Sequence, residues 1–181
     1  MKRSVNRILT THVGSLIRPP RLLELVRGLT PAQWNFRETP ERWSIAQNIE
    51  HVIVLENFIV QKVTEVLEQP ADTTKKDAVA GKDSLVFGLA ESRNAKLIAR
   101  EAARPMGRWP DTSELVAELR RTRARTVAFA SETQAELRTH FFPHIAFGDL
   151  DCYQWLVVLG QHGFRHALQI EEIKANPAYP V

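Results

Sequence analysis

Three of the six histidines in this chain sit in apolar, helix-forming stretches. "LGQHGFRHALQIEEIK" (159–174) carries His162 and His166 four residues apart, a spacing that stacks both side chains on one helical face. Two such imidazoles can grip one metal ion, or they can pack as polarisable rings near the surface. "QNIEHVIVLENF" (47–58) supplies a third, His51. On a wheel of about 100° per residue, Leu55, Phe58, Val52 and Ile59 lie within about 100° of His51, while Glu50, Asn57, Gln61 and Glu68 fall on the far side. The same construction sets His162 and His166 beside Trp155, Val158, Leu159 and Ile173. All three imidazoles are therefore expected on inward faces. Converging and neutral, they would bind Zn²⁺, Ni²⁺ or Fe²⁺ at about 2.0–2.2 Å and leave positions open for water or substrate. Alternatively, each is a core histidine satisfied by a backbone carbonyl. His51 alone favours that plainer reading, and the trio favours the metal.

Other residues could support such a centre. Gln169 lies one turn beyond His166; it either hydrogen-bonds a ligand or leaves the helix facing solvent. Glu56 falls about 140° from His51, inside an apolar arc of Ile45, Ile49, Val52 and Val63, where a carboxylate needs a partner. Arg165 is the expected partner, and a structural ion pair is favoured over a general base. His140 and His144 belong to the segment before the last helix and read as exposed loop histidines.

These side chains must be positioned by helices. The first is expected over about 20–29 ("PRLLELVRGL"), and "TPAQW" (30–34) reads as a short turn capped by Thr30. The second long helix opens at Ser44, where "SIAQ" is a capping box, and runs to about Glu68. Residues 69–83 read as a polar loop, and 84–104 are ambiguous, with a short helix one option. The third helix lies within 110–137, capped by Asp111 or Thr112. A loop (139–151) then leads to a fourth helix from about Leu150 to Lys174, stopped by "NP" (176–177). No period-2 alternation marks a strand. Four amphipathic helices must bury their stripes on one another, so an all-α antiparallel four-helix bundle with a short extra helix or turn is expected. Gly160, Gly163 and Ala167 form a smooth strip on the fourth helix that would let a neighbour approach closely. The expected organisation is a leader (1–17), one bundle domain (18–176) and a short tail (177–181).

Composition limits the partners. The chain has 181 residues, 44% hydrophobic and 25% charged, enough for one domain with a proper core. Its 24 basic and 21 acidic residues leave a net charge of +3, unlike the dense basic face of a nucleic-acid binder. The richest basic run, "ELRRTRARTVAF" (118–129), is spaced like the solvated side of a helix. No apolar run approaches the roughly 18 residues that span a bilayer, and no signal core follows the basic start. One cysteine, Cys152, excludes a disulfide framework and suits a reducing cytoplasm.

"RWSIAQNIEHVIVLE" (42–56), followed a hundred residues later by "YQWLVVLGQHGFRHALQIEEI" (153–173), resembles the DinB/YfiT superfamily. In that family a Trp-Ser helix start leads to a Glu-His pair, and the last helix ends in H-x-x-x-H-x-x-Q-I. The resemblance covers roughly residues 20–176. It implies a four-helix bundle with a three-histidine divalent-metal site, its ligand positions falling on His51, His162 and His166, and commonly a homodimer. It also implies metal-dependent hydrolysis, or joining of a low-molecular-weight thiol to an electrophile. A non-catalytic bundle that holds a metal or small ligand is the alternative. At the N-terminus, "RILTTHVGSLIRPPRLLEL" (7–25) resembles the opening of cobalamin-independent methionine synthases. Neither their barrel nor their zinc-ligand cysteines follow, so His12 and Ser15 are assigned no site.

Overall fold

A computed structural model describes residues 21–89, 99 and 101–181. The leader, with His12 and Ser15, and most of the stretch after Leu89 lie outside the described residues. The chain is mostly helical. Short helices α1 (Arg21–Leu25) and α2 (Pro31–Asn35) precede α3 (Ile45–Leu67); α4 (Lys76–Ala80), α5 (Asp83–Phe87) and a 3₁₀ turn (Glu101–Ala103) precede α6 (Thr112–Glu132). Strands β1 (Phe141–His144) and β2 (Gly148–Asp151) lead into α7 (Cys152–Ala175).

The caps fix these elements locally. Thr30 with Gln33, Ser44 with Gln47, and Asp151 with Gln154 each form a reciprocal capping box, and Asp111 caps α6 by accepting from the Ser113 N–H. The first helix is shorter than the sequence predicts. Its backbone turns after Leu25 and passes through Gly28 at φ +72°, a left-handed value that glycine adopts freely.

Helix α3 is the hub, packed against both α6 and α7. Along α3 and α7 the contacts run in opposite senses: Asn48 meets His166, and Ile59 and Val63 share a cluster with Trp155 and Leu156. Along α3 and α6 they run in the same sense. Ile49 and Ile53 cluster with Leu115 and Leu119, Glu56 reaches Arg123, and Ile59 and Val63 cluster with Ala130. These two helices are therefore parallel, and not the antiparallel neighbours expected. The long connection between them carries the chain back before α6 starts.

Two further expectations are corrected. Residues 139–151 are no loop: Phe141 pairs with Asp151, Phe142 with Leu150, Pro143 with Asp149 and His144 with Gly148 in an antiparallel hairpin. Strands of four residues are too short to show a period-2 signal, and Pro143 reads as a breaker although a two-stranded ribbon consists only of edges, where proline is tolerated. The polar stretch 69–83 contains α4. An ionic knot holds both to α7: Arg138 forks onto Asp83 at 2.9 Å through two nitrogens, reaches Asp151 at 2.9 Å, and covers the Tyr153 ring.

The core divides in two. One apolar cluster includes Ile59, Val63, Val86, Leu150 and Leu156; the other includes Trp34, Ile45, Ile49, Leu115 and Ile170. Between them each long helix contributes buried polar groups: His51 and Glu56 from α3, Thr122, Arg123 and Thr126 from α6, and His166 from α7. Such a belt is costly to bury, because every member must find a partner.

Candidate metal centre

The expected trio comes together in that belt. Nε2 of His162 lies 3.1 Å from Nε2 of His51 and 3.1 Å from Nε2 of His166. Among the described residues, this is the group of potential ligand atoms close enough to share one ion, all within 4.8 Å of one another. Bonds of about 2.0–2.1 Å at tetrahedral angles need neighbouring ligand nitrogens roughly 3.3 Å apart, so the observed spacing suits a divalent transition metal.

The rings are held from behind. Nδ1–H of His51 donates to the Ala103 carbonyl at 2.6 Å, and Nδ1–H of His166 donates to Oδ1 of Asn48 at 2.8 Å. Fixing the proton on Nδ1 leaves an Nε2 lone pair facing the centre, which is the ligating tautomer. Burial lowers the pKa of His51 against the opposing effect of the Ala103 bond. His162 falls well below its ordinary value through burial first, then the charges of its neighbours His166 and His51 and of Arg123 and Arg165. Both stay neutral near pH 7, as ligation requires.

Asn48 escaped the sequence reading, although it lies only about 60° from His51 on the same wheel. It is 3% exposed, and its own amide donates to the Ser44 carbonyl at 2.9 Å, which fixes the orientation presented to His166. Asn48→Ala removes that acceptor and is expected to weaken metal affinity about 10–100-fold. Competition with a chromogenic chelator measures this, and unchanged affinity would contradict the role.

Glu50 was placed on the charged, outward side of α3; it is instead 4% exposed. Its carboxylate accepts from the N–H groups of Met106, Gly107 and Arg108 and from Arg108 Nη1. Burial by itself raises its pKa, but those donors outweigh it and hold the group below its ordinary value. Glu50 thereby pins the segment whose Ala103 carbonyl orients His51. A helical wheel cannot see this, because the covering segment comes from a distant part of the chain.

The trio opens into a cleft of about 1080 Å³. Trp43 forms one wall, its ring 4.8 Å from His51 and stacked 6.4 Å from His166. Comparison with protein families matches residues 17–170 to the DinB superfamily. The chain belongs to the DinB superfamily. It is also similar to the uncharacterized protein YuaE of Bacillus subtilis (strain 168), 26% identical over 149 residues, which span 82% of this chain and 88% of that one. No solved structure matches it significantly.

Among the remaining predicted residues of this DinB chain, one changes partner, and His140 and His144, expected as exposed loop histidines, are half-buried, His144 within β1. Glu56 is 2% exposed and pairs with Arg123 of α6 at 2.9 Å, and not with Arg165. Arg123 belongs to the basic run expected to face solvent; it turns inward because Gly163 of α7 leaves room, a Cβ there coming within 3.2 Å of its Nη2. The smooth strip on α7 thus admits a guanidinium. Gln169 lines the cleft with a buried Oε1 that has no hydrogen-bond partner. His144 also lines the cleft, stacked on Phe147, and His140 Nε2 meets the Gln69 carbonyl at 3.0 Å. Neither joins the trio. Burial and then the Asp151 charge push the Cys152 thiol up to about 12, so it is no nucleophile at neutral pH.

Proposed function

We propose that this DinB protein is a metal-dependent enzyme that activates a small thiol or a water molecule, acting as a thiol S-transferase or a hydrolase. The observation that carries the reading is three Nε2 atoms converging at the floor of an open cleft, two of them tautomer-fixed by Ala103 and Asn48. His51, His162 and His166 would hold one divalent zinc, nickel or iron ion. When bound, such an ion lowers the pKa of a ligated water or thiol, making it nucleophilic near neutral pH. The chain's own part is to keep His51 and His162 neutral and to wall the site with Trp43. Gln169, in the cleft lining, and Glu56, paired with Arg123, are the candidate supporting residues around the histidines.

Metal analysis of untagged protein, followed by turnover assays pairing small thiols with electrophiles and offering hydrolysable esters and amides, tests this. Metal-dependent turnover lost in His162→Ala supports the enzyme. Tight metal retention without turnover across the panel would favour the alternative, a non-catalytic metal- or ligand-binding bundle.

Three structural readings accompany it. The three long helices with α1 form the family's four-helix bundle, residues 18–176 as one domain. No described helix is long and apolar enough to cross a membrane, and the single buried thiol suits the reducing cytoplasm. The protein is a homodimer through helix faces left over after the bundle closes. Light scattering at high micromolar concentration should give twice the chain mass, and a monomer would contradict the assembly.

A further inference from the structure

On either side of the three histidines, both long helices change character in the same sense. On α3, Gln47 and Asn48 precede His51, and Leu55, Phe58 and Ile59 follow it along the cleft wall as far as Lys62, whose ammonium pairs with Glu65. Helix α7 runs the other way, so Gln169 and Glu172, with Ile173 beside them, lie at the polar end while Val158 and Trp155 lie at the apolar end. The hairpin extends the apolar end with Phe142 and Ile145, and residues 37–42, all but Pro40 charged or hydroxylated, extend the polar end. The histidines stand at the junction, roughly 10 Å from Phe58 along α3 at 1.5 Å per residue.

Two features say what this space accepts. Phe58 and Ile145 are 45% and 64% exposed while lining the cleft, so large apolar side chains face an open volume. Exposed apolar surface inside a concavity gains most when an apolar group covers it. At the other end, the buried Gln169 Oε1 lacks a donor. A buried acceptor left unmatched is penalised, so that end suits a ligand carrying an N–H or O–H.

We infer that the cleft is a two-ended site for an amphiphilic small molecule, with an apolar alkyl or aryl group lying toward Phe58, Ile145 and Trp155. Its polar end meets Gln169, and its reacting group sits at the three histidines; this rests on the metal-centre reading above. The opposite orientation would set apolar surface against the charged end and leave both Phe58 and Gln169 unmatched.

The test is calorimetry of the metal-loaded protein with straight-chain hydroxamates from acetohydroxamate upward. Affinity should tighten about threefold to fourfold per methylene, as burial of a CH₂ group implies, and level off once the chain outruns the arm. Ile145→Asp and Phe58→Asp, both at exposed positions, should flatten that slope. A flat series in the wild type, with acetohydroxamate still bound, overturns the two-ended site and leaves the metal centre standing. If the protein takes up no metal, the metal-centre reading fails; if it takes up metal but binds no hydroxamate, the placement of the reacting group at the histidines is overturned. Straight-chain 1-alkanols followed by the Trp155 indole N–H resonance then decide the arm alone: length-dependent saturable shifts support it, and their absence overturns it.

Discussion

Protein purified without a histidine tag is expected to carry about one divalent transition metal per chain, and Ala at His51, His162 or His166 to strip most of it. Each substitution leaves two nitrogens where three converged. The loss should exceed the roughly 10–100-fold effect of removing an outer hydrogen bond, and His162 should matter most because its Nε2 lies 3.1 Å from both others. His140→Ala and His144→Ala serve as controls that retain the metal, since neither ring reaches the trio. The acid dependence has a definite sign. Burial holds His51 and His162 below the ordinary 6.5, so their neutral, ligating forms persist as pH falls past that value. Metal should therefore be retained to lower pH than a solvent-exposed histidine cluster would allow. Elemental analysis of dialysed samples reads both effects; full retention in all three single variants would sink the site.

How much of this was legible in the sequence depends on how local each signal is. The histidine trio was readable because its phase is set within two long helices, and a wheel of about 100° per residue places inward positions dependably there. The capping box at Ser44 and the cap at Thr30 were readable for the same reason, being written within four residues. Glu56 was read as buried, but its partner was not, because Arg165 shares a helix with the histidines whereas Arg123 arrives on α6. Only Gly163 hints at that, and the hint needs the helix pairing to be known. Glu50 was misplaced by the wheel itself: its phase points away from His51, but the Met106–Arg108 backbone wraps over that side and buries it. The hairpin was lost to its brevity and to Pro143. The parallel pairing of α3 and α6 was hidden because direction is decided by a connection whose described pieces are short.

Glu56→Ala is expected to lower stability by about 3–5 kcal/mol, even in metal-free protein. Two effects oppose each other at this carboxylate. Burial raises its pKa, and the charge of Arg123, the nearby Thr126 hydroxyl and the charge of Arg125 only partly pull it back. The 2.9 Å approach of Arg123 is poorly aligned, so neither carboxylate oxygen has a full hydrogen bond. Ionisation of Glu56 is thus disfavoured in the fold, and deleting its charge alone should cost little. Deleting the group is different. Arg123 is 7% exposed, and Ala leaves its guanidinium beside a void with no acceptor. Glu56→Gln keeps the volume and a carbonyl acceptor, so it should cost only about 1 kcal/mol. Because the folded pKa is raised, the carboxyl's contribution is fully present below its ordinary 4.5 and is lost as pH rises through the higher folded value. Wild type should therefore gain on Glu56→Gln as pH falls through that window. Urea denaturation of apo and metal-loaded protein at several pH values measures all three comparisons. A loss in Glu56→Ala confined to the metal-loaded form would mean that the carboxylate acts through the metal centre. Tolerance of Ala in both forms would mean that Arg123 finds solvent without it, and that the polar belt between the two apolar clusters is looser than its burial implies.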